Sequence, residues 1–100
     1  MDISKLMQQA GALQKQLEET GRQINEMEFE AEASNGLVKV TVNGENKILS
    51  VSIDETILNK EDKEMIEDLI MIAVNNAISK VEEYKKEKYG AMGSAMGLPF

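Results

Sequence analysis

Between Gly36 and Asp54 the chain reads Gly-Leu-Val-Lys-Val-Thr-Val-Asn-Gly-Glu-Asn-Lys-Ile-Leu-Ser-Val-Ser-Ile-Asp, and no other stretch limits the fold as strongly. Val38, Val40 and Val42 alternate with Leu37, Lys39 and Thr41, the period of two that sends one set of side chains to one face of a strand. Asn43-Gly44 is a pair that tolerates the positive φ angles of a tight hairpin corner. Leu49, Val51 and Ile53 resume the alternation and are expected to form the buried face of the next strand. Two antiparallel strands follow from this run alone.

The strands have a predecessor. Met27, Phe29, Ala31 and Ala33 alternate with Glu28, Glu30 and Glu32, which predicts a half-buried strand with glutamate outside. Ser34-Asn35-Gly36 is a turn signal, so the three strands make an antiparallel meander. Before them, Ile3, Leu6, Ala10, Leu13, Leu17, Ile24 and Met27 recur at steps of three, four and seven, with Thr20 filling the gap. That is a heptad seam with one polar interruption. Asp2 and Ser4 suit a helix N-terminus. Gly11 and Gly21 each weaken such a helix by about 1 kcal/mol relative to alanine, so packing must hold it. The partner is either the rest of the same fold or another helix in a coiled coil.

A second long helix follows the sheet. Asp54 closes the sheet, and Asn59 reads as an N-cap with Glu61 and Asp62 in the first turn, where the helix dipole favours acid. Ile66, Leu69, Ile70, Ala73, Ala77, Val81 and Tyr84 keep helical spacing. Asn75 and Asn76 interrupt this stretch, either as register-fixing polar groups at a seam or as ordinary exposed asparagines. Gly90 is the expected stop. Residues 1–89 are thus expected to form a single domain and residues 90–100 a flexible tail. Met92, Met96, Leu98 and Phe100 in that tail are either frayed or docked into a groove on a partner.

A chain of 100 residues lies near the lower size limit for a self-sufficient core, and two long helices on it favour a homodimer. The longest apolar run, Leu69 to Val74, is too short to span a bilayer, and the opening residues lack the basic and apolar regions of a signal peptide. A cytoplasmic protein without a membrane partner is expected. With no cysteine and no histidine, Ser-His and Cys-His nucleophile arrangements are excluded. No glycine-rich phosphate loop stands in a strand-loop-helix context. Glu28, Glu30 and Glu32 share a strand face but lack an Asp-rich loop, so an acidic face that discourages aggregation is favoured over a metal site. No enzyme activity and no cofactor is expected.

The net charge of −7 argues against nucleic acid when taken alone. Its distribution qualifies that. The acid is concentrated between residues 26 and 64, whereas residues 79–89 hold four lysines against three glutamates. Such a pattern steers a polyanion towards the helices.

Several words in this order resemble the YbaB/EbfC family of bacterial nucleoid-associated proteins. They are Leu37-Val38-Lys39-Val40-Thr41-Val42-Asn43-Gly44, Val51-Ser52-Ile53-Asp54, Lys63-Glu64-Met65-Ile66-Glu67-Asp68-Leu69, Asn75 followed by Ala77, and Glu82-Glu83-Tyr84-Lys85-Lys86-Glu87-Lys88. Leu6-Met7-Gln8-Gln9-Ala10 and Pro99-Phe100 fit as well, so the match spans nearly the whole chain. The resemblance implies a tweezer-like homodimer whose helical arms project from a shared β-rich body. It also implies duplex DNA binding with little sequence preference, through the arms, and roles in nucleoid organisation and gene regulation. Some members carry a Gly/Lys-containing leader before the first helix. This sequence opens almost at the helix, and contacts of such a leader are expected to be missing.

The fold expected is therefore α+β, in the order α-β-β-β-α. The candidate DNA-binding residues are Lys5, Lys15 and Arg22 on the first helix and Lys80, Lys85, Lys86 and Lys88 on the second. Each would neutralise phosphate and release counterions. The alternative is that they are solvated cations paired with Glu18, Glu19, Glu82, Glu83 and Glu87. With only Arg22 as a bidentate reader, shape is expected to matter more than base contacts. A competing function is an acidic dimeric scaffold that recruits replication or recombination proteins without touching DNA.

Overall fold

The structure is a computed structural model that describes residues 2–95. The chain runs α1 (Ile3–Glu26), β1 (Glu28–Ala33), β2 (Val38–Asn43), β3 (Ile48–Ile53), two short 3-10 turns, and α2 (Lys63–Ala95). The strands form one antiparallel sheet in the order β1-β2-β3, the expected α-β-β-β-α meander.

Alternation does what it predicts in the first two strands. Ala31, Ala33, Val38, Val40 and Val42 are buried, while Glu28, Glu30, Glu32 and Lys39 stand exposed on the opposite face. The buried row receives Leu69, Ala73, Ala77 and Val81 of α2. Small residues on both sides of this contact let the helix approach closely. The four fully buried valines, Val38, Val40, Val42 and Val81, supply the bulk, at about 1.5–3 kcal/mol each. Phe29 and Tyr84 close one end of the core edge to face, with ring centroids 5.7 Å apart.

The third strand departs from expectation. Val51 and Ile53 pair with Val40 and Val38, so they do share the core face, but Val51 remains 46% exposed and Leu49 44%. The cause is coverage. A helix is about 10–12 Å across with its side chains and strands lie about 4.8 Å apart, so one helix covers two strands. Here α2 lies on β1 and β2. A register shift beside Thr41 and Val42 places Ile48 opposite Val42, with Leu49 as the extra residue of a bulge.

The hairpin corner is also built differently. The β2–β3 loop is Gly44-Glu45-Asn46-Lys47, and the left-handed residue is Asn46 (φ 64°), not Gly44. The Asn43 side chain organises this loop by accepting from the Glu45 and Lys47 amides at 2.9 and 3.0 Å. Gly44 serves another purpose. A Cβ there would overlap the Ile24 carbonyl and lie 2.9 Å from the Asn25 nitrogen. The hairpin tip thus abuts the end of α1. At the other corner Ser34, Asn35 and Gly36 all have positive φ, as the turn signal predicts.

Both ends of α2 carry corrections. Asn59 makes no side-chain cap to its own turn and precedes a 3-10 segment, Lys60–Asp62, that leads into α2. The side chain of Asn59 instead donates to the Thr56 carbonyl and to Asp62. Gly90 does not end α2, which continues to Ala95. One glycine costs a helix about 1 kcal/mol, a penalty that 33 residues of continuous helix absorb. Met92 is therefore helical, while Met96, Leu98 and Phe100 lie outside the described residues.

Candidate nucleic-acid interface

The first helix is an arm. Asp2 caps it by accepting from the Ser4 amide at 3.0 Å, and its 24 residues extend roughly 36 Å at 1.5 Å per residue. Among them only Thr20 and Ile24 are buried. The heptad seam lies largely bare, with Ile3 72% and Leu6 46% exposed. The polar interruption at Thr20 is therefore one of the two points where α1 is covered. The protein is correspondingly elongated, 71 × 21 × 16 Å.

The C-terminal part of α2 approaches this arm at Gly21. The Tyr89 hydroxyl lies 3.5 Å from where a Cβ on Gly21 would stand. Lys85, Lys86 and Lys88 precede Tyr89 within the last two turns before this contact. Lys85 and Lys86 line a shallow groove with Tyr89 and Gly90. Lys15 and Lys5 lie farther along α1, about 10 and 25 Å from Arg22 by helical rise.

These cations differ in what they are free to do. Arg22 pairs with Glu19 at 3.1 Å, on a surface where both side chains are more than half exposed. Such pairs contribute little and exchange readily. Lys80 is engaged elsewhere: its Nζ donates to the Glu30 carbonyl oxygen at 2.6 Å. Among the described residues, Lys5, Lys15, Lys85, Lys86 and Lys88 have no carboxylate within 4.0 Å. The alternative pairing of the α2 lysines with Glu82, Glu83 and Glu87 is not formed among the described residues.

The sequence reading did not single out an apolar strip beside the bare strand. Ile48, Leu49, Val51 and Met71 are all exposed. At 100° per residue, Met71 is about 180° from Lys80 and faces away from the core-facing line of Ala73 and Ala77, on the outer side of α2. The alternation of β3 pointed to an apolar face, but nothing local indicates that it stays uncovered. Among the described residues no helix is long and apolar enough to cross a membrane.

A small antiparallel sheet, one helix laid across it and helical arms carrying unpaired lysines define an armed α+β domain. The chain belongs to the YbaB/EbfC DNA-binding family, which it matches over residues 1–96. This is a DNA-binding family, not an enzyme family. Among solved structures, the chain is similar to the uncharacterized protein HP0035 from Helicobacter pylori. The two share 27% sequence identity at a TM-score of 0.76, over 92% of this chain and 97% of that one.

Proposed function

We propose that this protein is a nucleoid-associated homodimer that binds duplex DNA through its helical arms and contributes to nucleoid organisation and gene regulation. The observation that carries the reading is the set of unpaired lysines on helices that stand away from an acidic body. Glu28, Glu30 and Glu32 make the outer face of β1 repel phosphate, while Lys5, Lys15, Lys85, Lys86 and Lys88 offer counterion release on the arms. Lys80, with one of its three donors on the Glu30 carbonyl, and Arg22, paired with Glu19, are the weaker candidates of the set.

Dimerisation is assigned to the exposed apolar residues Ile48, Leu49 and Val51 of β3, beside its open edge. A second copy supplies the helix and strand surface that one copy lacks, and the pairing sets two pairs of arms on a common body. Two copies carry a formal charge of −14, twice −7, so contact is confined to the arms.

The test is fluorescence anisotropy on a labelled duplex across a salt series, with a K85E/K86E/K88E variant alongside. Binding is expected to weaken with salt at a logarithmic slope of about 0.9 per phosphate neutralised, and the variant is expected to lose it. No binding by the wild type at low salt would overturn the reading and favour the scaffold. The exposed acidic face of the sheet would then be the surface to examine.

A further inference from the structure

The two edges of the sheet are treated differently, and the difference is made by two side chains of α2. β1 and β3 are both edge strands. Along the outer edge of β1, Asn76 Nδ2 donates to the Glu32 carbonyl at 3.2 Å and Lys80 Nζ donates to the Glu30 carbonyl at 2.6 Å. Asn76 and Lys80 are four residues apart, so they project from one flank of the helix, one turn apart. Glu30 and Glu32 are two apart, so their carbonyls point the same way from the strand. The two spacings, about 6 Å along the helix and about 7 Å along the strand, match.

An incoming strand pairs by donating its amides to carbonyls such as these. With both occupied, and with an ammonium standing in the path, β1 is a closed edge. No equivalent side chain caps a β3 carbonyl among the described residues, since the hydrogen bonds to carbonyls from side chains elsewhere lie outside that strand.

We infer that Asn76 and Lys80 guard the edge of β1 and so restrict association to the β3 side. The consequence is for assembly. A molecule with one open side closes into a dimer, whereas a molecule open at both edges can add copies without limit. Lys80 therefore acts on the oligomer and not on DNA. The inference concerns the closed edge and does not require that the β3 side dimerise as proposed above.

The experiment compares wild type with N76A/K80M by sedimentation velocity over a hundredfold concentration range. Methionine keeps most of the aliphatic length of Lys80 and removes its donor. Wild type is expected to hold one limiting mass, and the variant to form species that grow with concentration. Hydrogen exchange of those species is expected to show new protection at residues 28–33. A folded variant, judged by unchanged far-ultraviolet circular dichroism, that keeps the wild-type mass at every concentration overturns the guard. So does growth without protection at residues 28–33.

If the double variant loses its helical signal, K80M alone is scored by the same two readouts. K80R, which retains donors, is expected to behave as wild type. A wild type that is monomeric throughout would refute the dimer reading and leave the comparison with the variant intact. In the anisotropy assay K80M is expected to bind DNA within about twofold of wild type. A loss as large as that of the K85E/K86E/K88E variant would return Lys80 to the phosphate contacts.

Discussion

Gly44 lies directly against the Ile24 carbonyl, in the space where any other residue would carry its Cβ. The relationship joins the hairpin tip to the last turn of α1, and the Gly44 amide adds a hydrogen bond to the Met27 carbonyl at 3.1 Å. Few other contacts tie the arm to the body, because α1 touches mainly β2. The direction in which the arm projects therefore depends on a backbone-to-backbone approach at one glycine.

Gly44→Ala is expected to destabilise the protein by about 3 kcal/mol, the upper part of the range for overpacking, because the obstacle is backbone and not a flexible side chain. Urea unfolding measures the loss. An unchanged midpoint would mean that α1 does not need this contact.

Gly11→Ala is expected to do the opposite. Nothing lies within 4 Å of the added methyl, and the site is exposed in the middle of a helix. Alanine there should gain up to about 1 kcal/mol from helix propensity. The gain is expected in the helicity of the arm by circular dichroism and, since the arm is loosely attached, only partly in the global unfolding midpoint.

Val51→Asp should separate dimerisation from folding. The side chain is 46% exposed, so a charge there does little to one copy but would be desolvated in the proposed interface. A folded monomer by sedimentation, with DNA affinity reduced because one pair of arms is lost, is the expected result. A dimer of wild-type affinity would move the interface elsewhere.

The Asp54 carboxyl is held below its ordinary value of 3.8 by the Thr56 hydroxyl, which donates at 2.7 Å, and next by the Thr56 amide at 2.8 Å. Its folded value is depressed, so its contribution to stability is fully present above 3.8 and is lost as pH falls through the lower folded value. Thr56→Val removes the larger cause and is expected to raise this pKa towards 3.8. Carbon-detected titration of the Asp54 carboxyl by NMR measures the change.

The local vocabulary carried far in some elements and stopped short in others. Alternation located β1 and β2 because both faces of those strands behave as a period of two requires, valine and alanine in, glutamate and lysine out. It identified the apolar face of β3 equally well but not its exposure, since exposure depends on where a distant helix lies. Asn43-Gly44 marked the right corner for the wrong reason: the left-handed residue is Asn46, and Gly44 is small because Ile24 is next to it. Gly90 carried a stop signal that the rest of α2 overrode. Among the candidate DNA contacts, residue type placed every lysine on a helix. It could not show that Lys80 reaches back to Glu30, because that bond joins residues fifty positions apart.

The sequence by itself determined the order of elements, the two apolar stripes that bind helix to sheet, the turn at residues 34–36 and the cations carried on the arms. These rest on periodicity and on local backbone preference, which a few neighbouring residues decide. Only the tertiary structure decided which strand stays bare, which edge is closed and which lysines are free. The first depends on one helix being too narrow to cover three strands, and the others on contacts between residues far apart in the chain, which no local stretch of residues records.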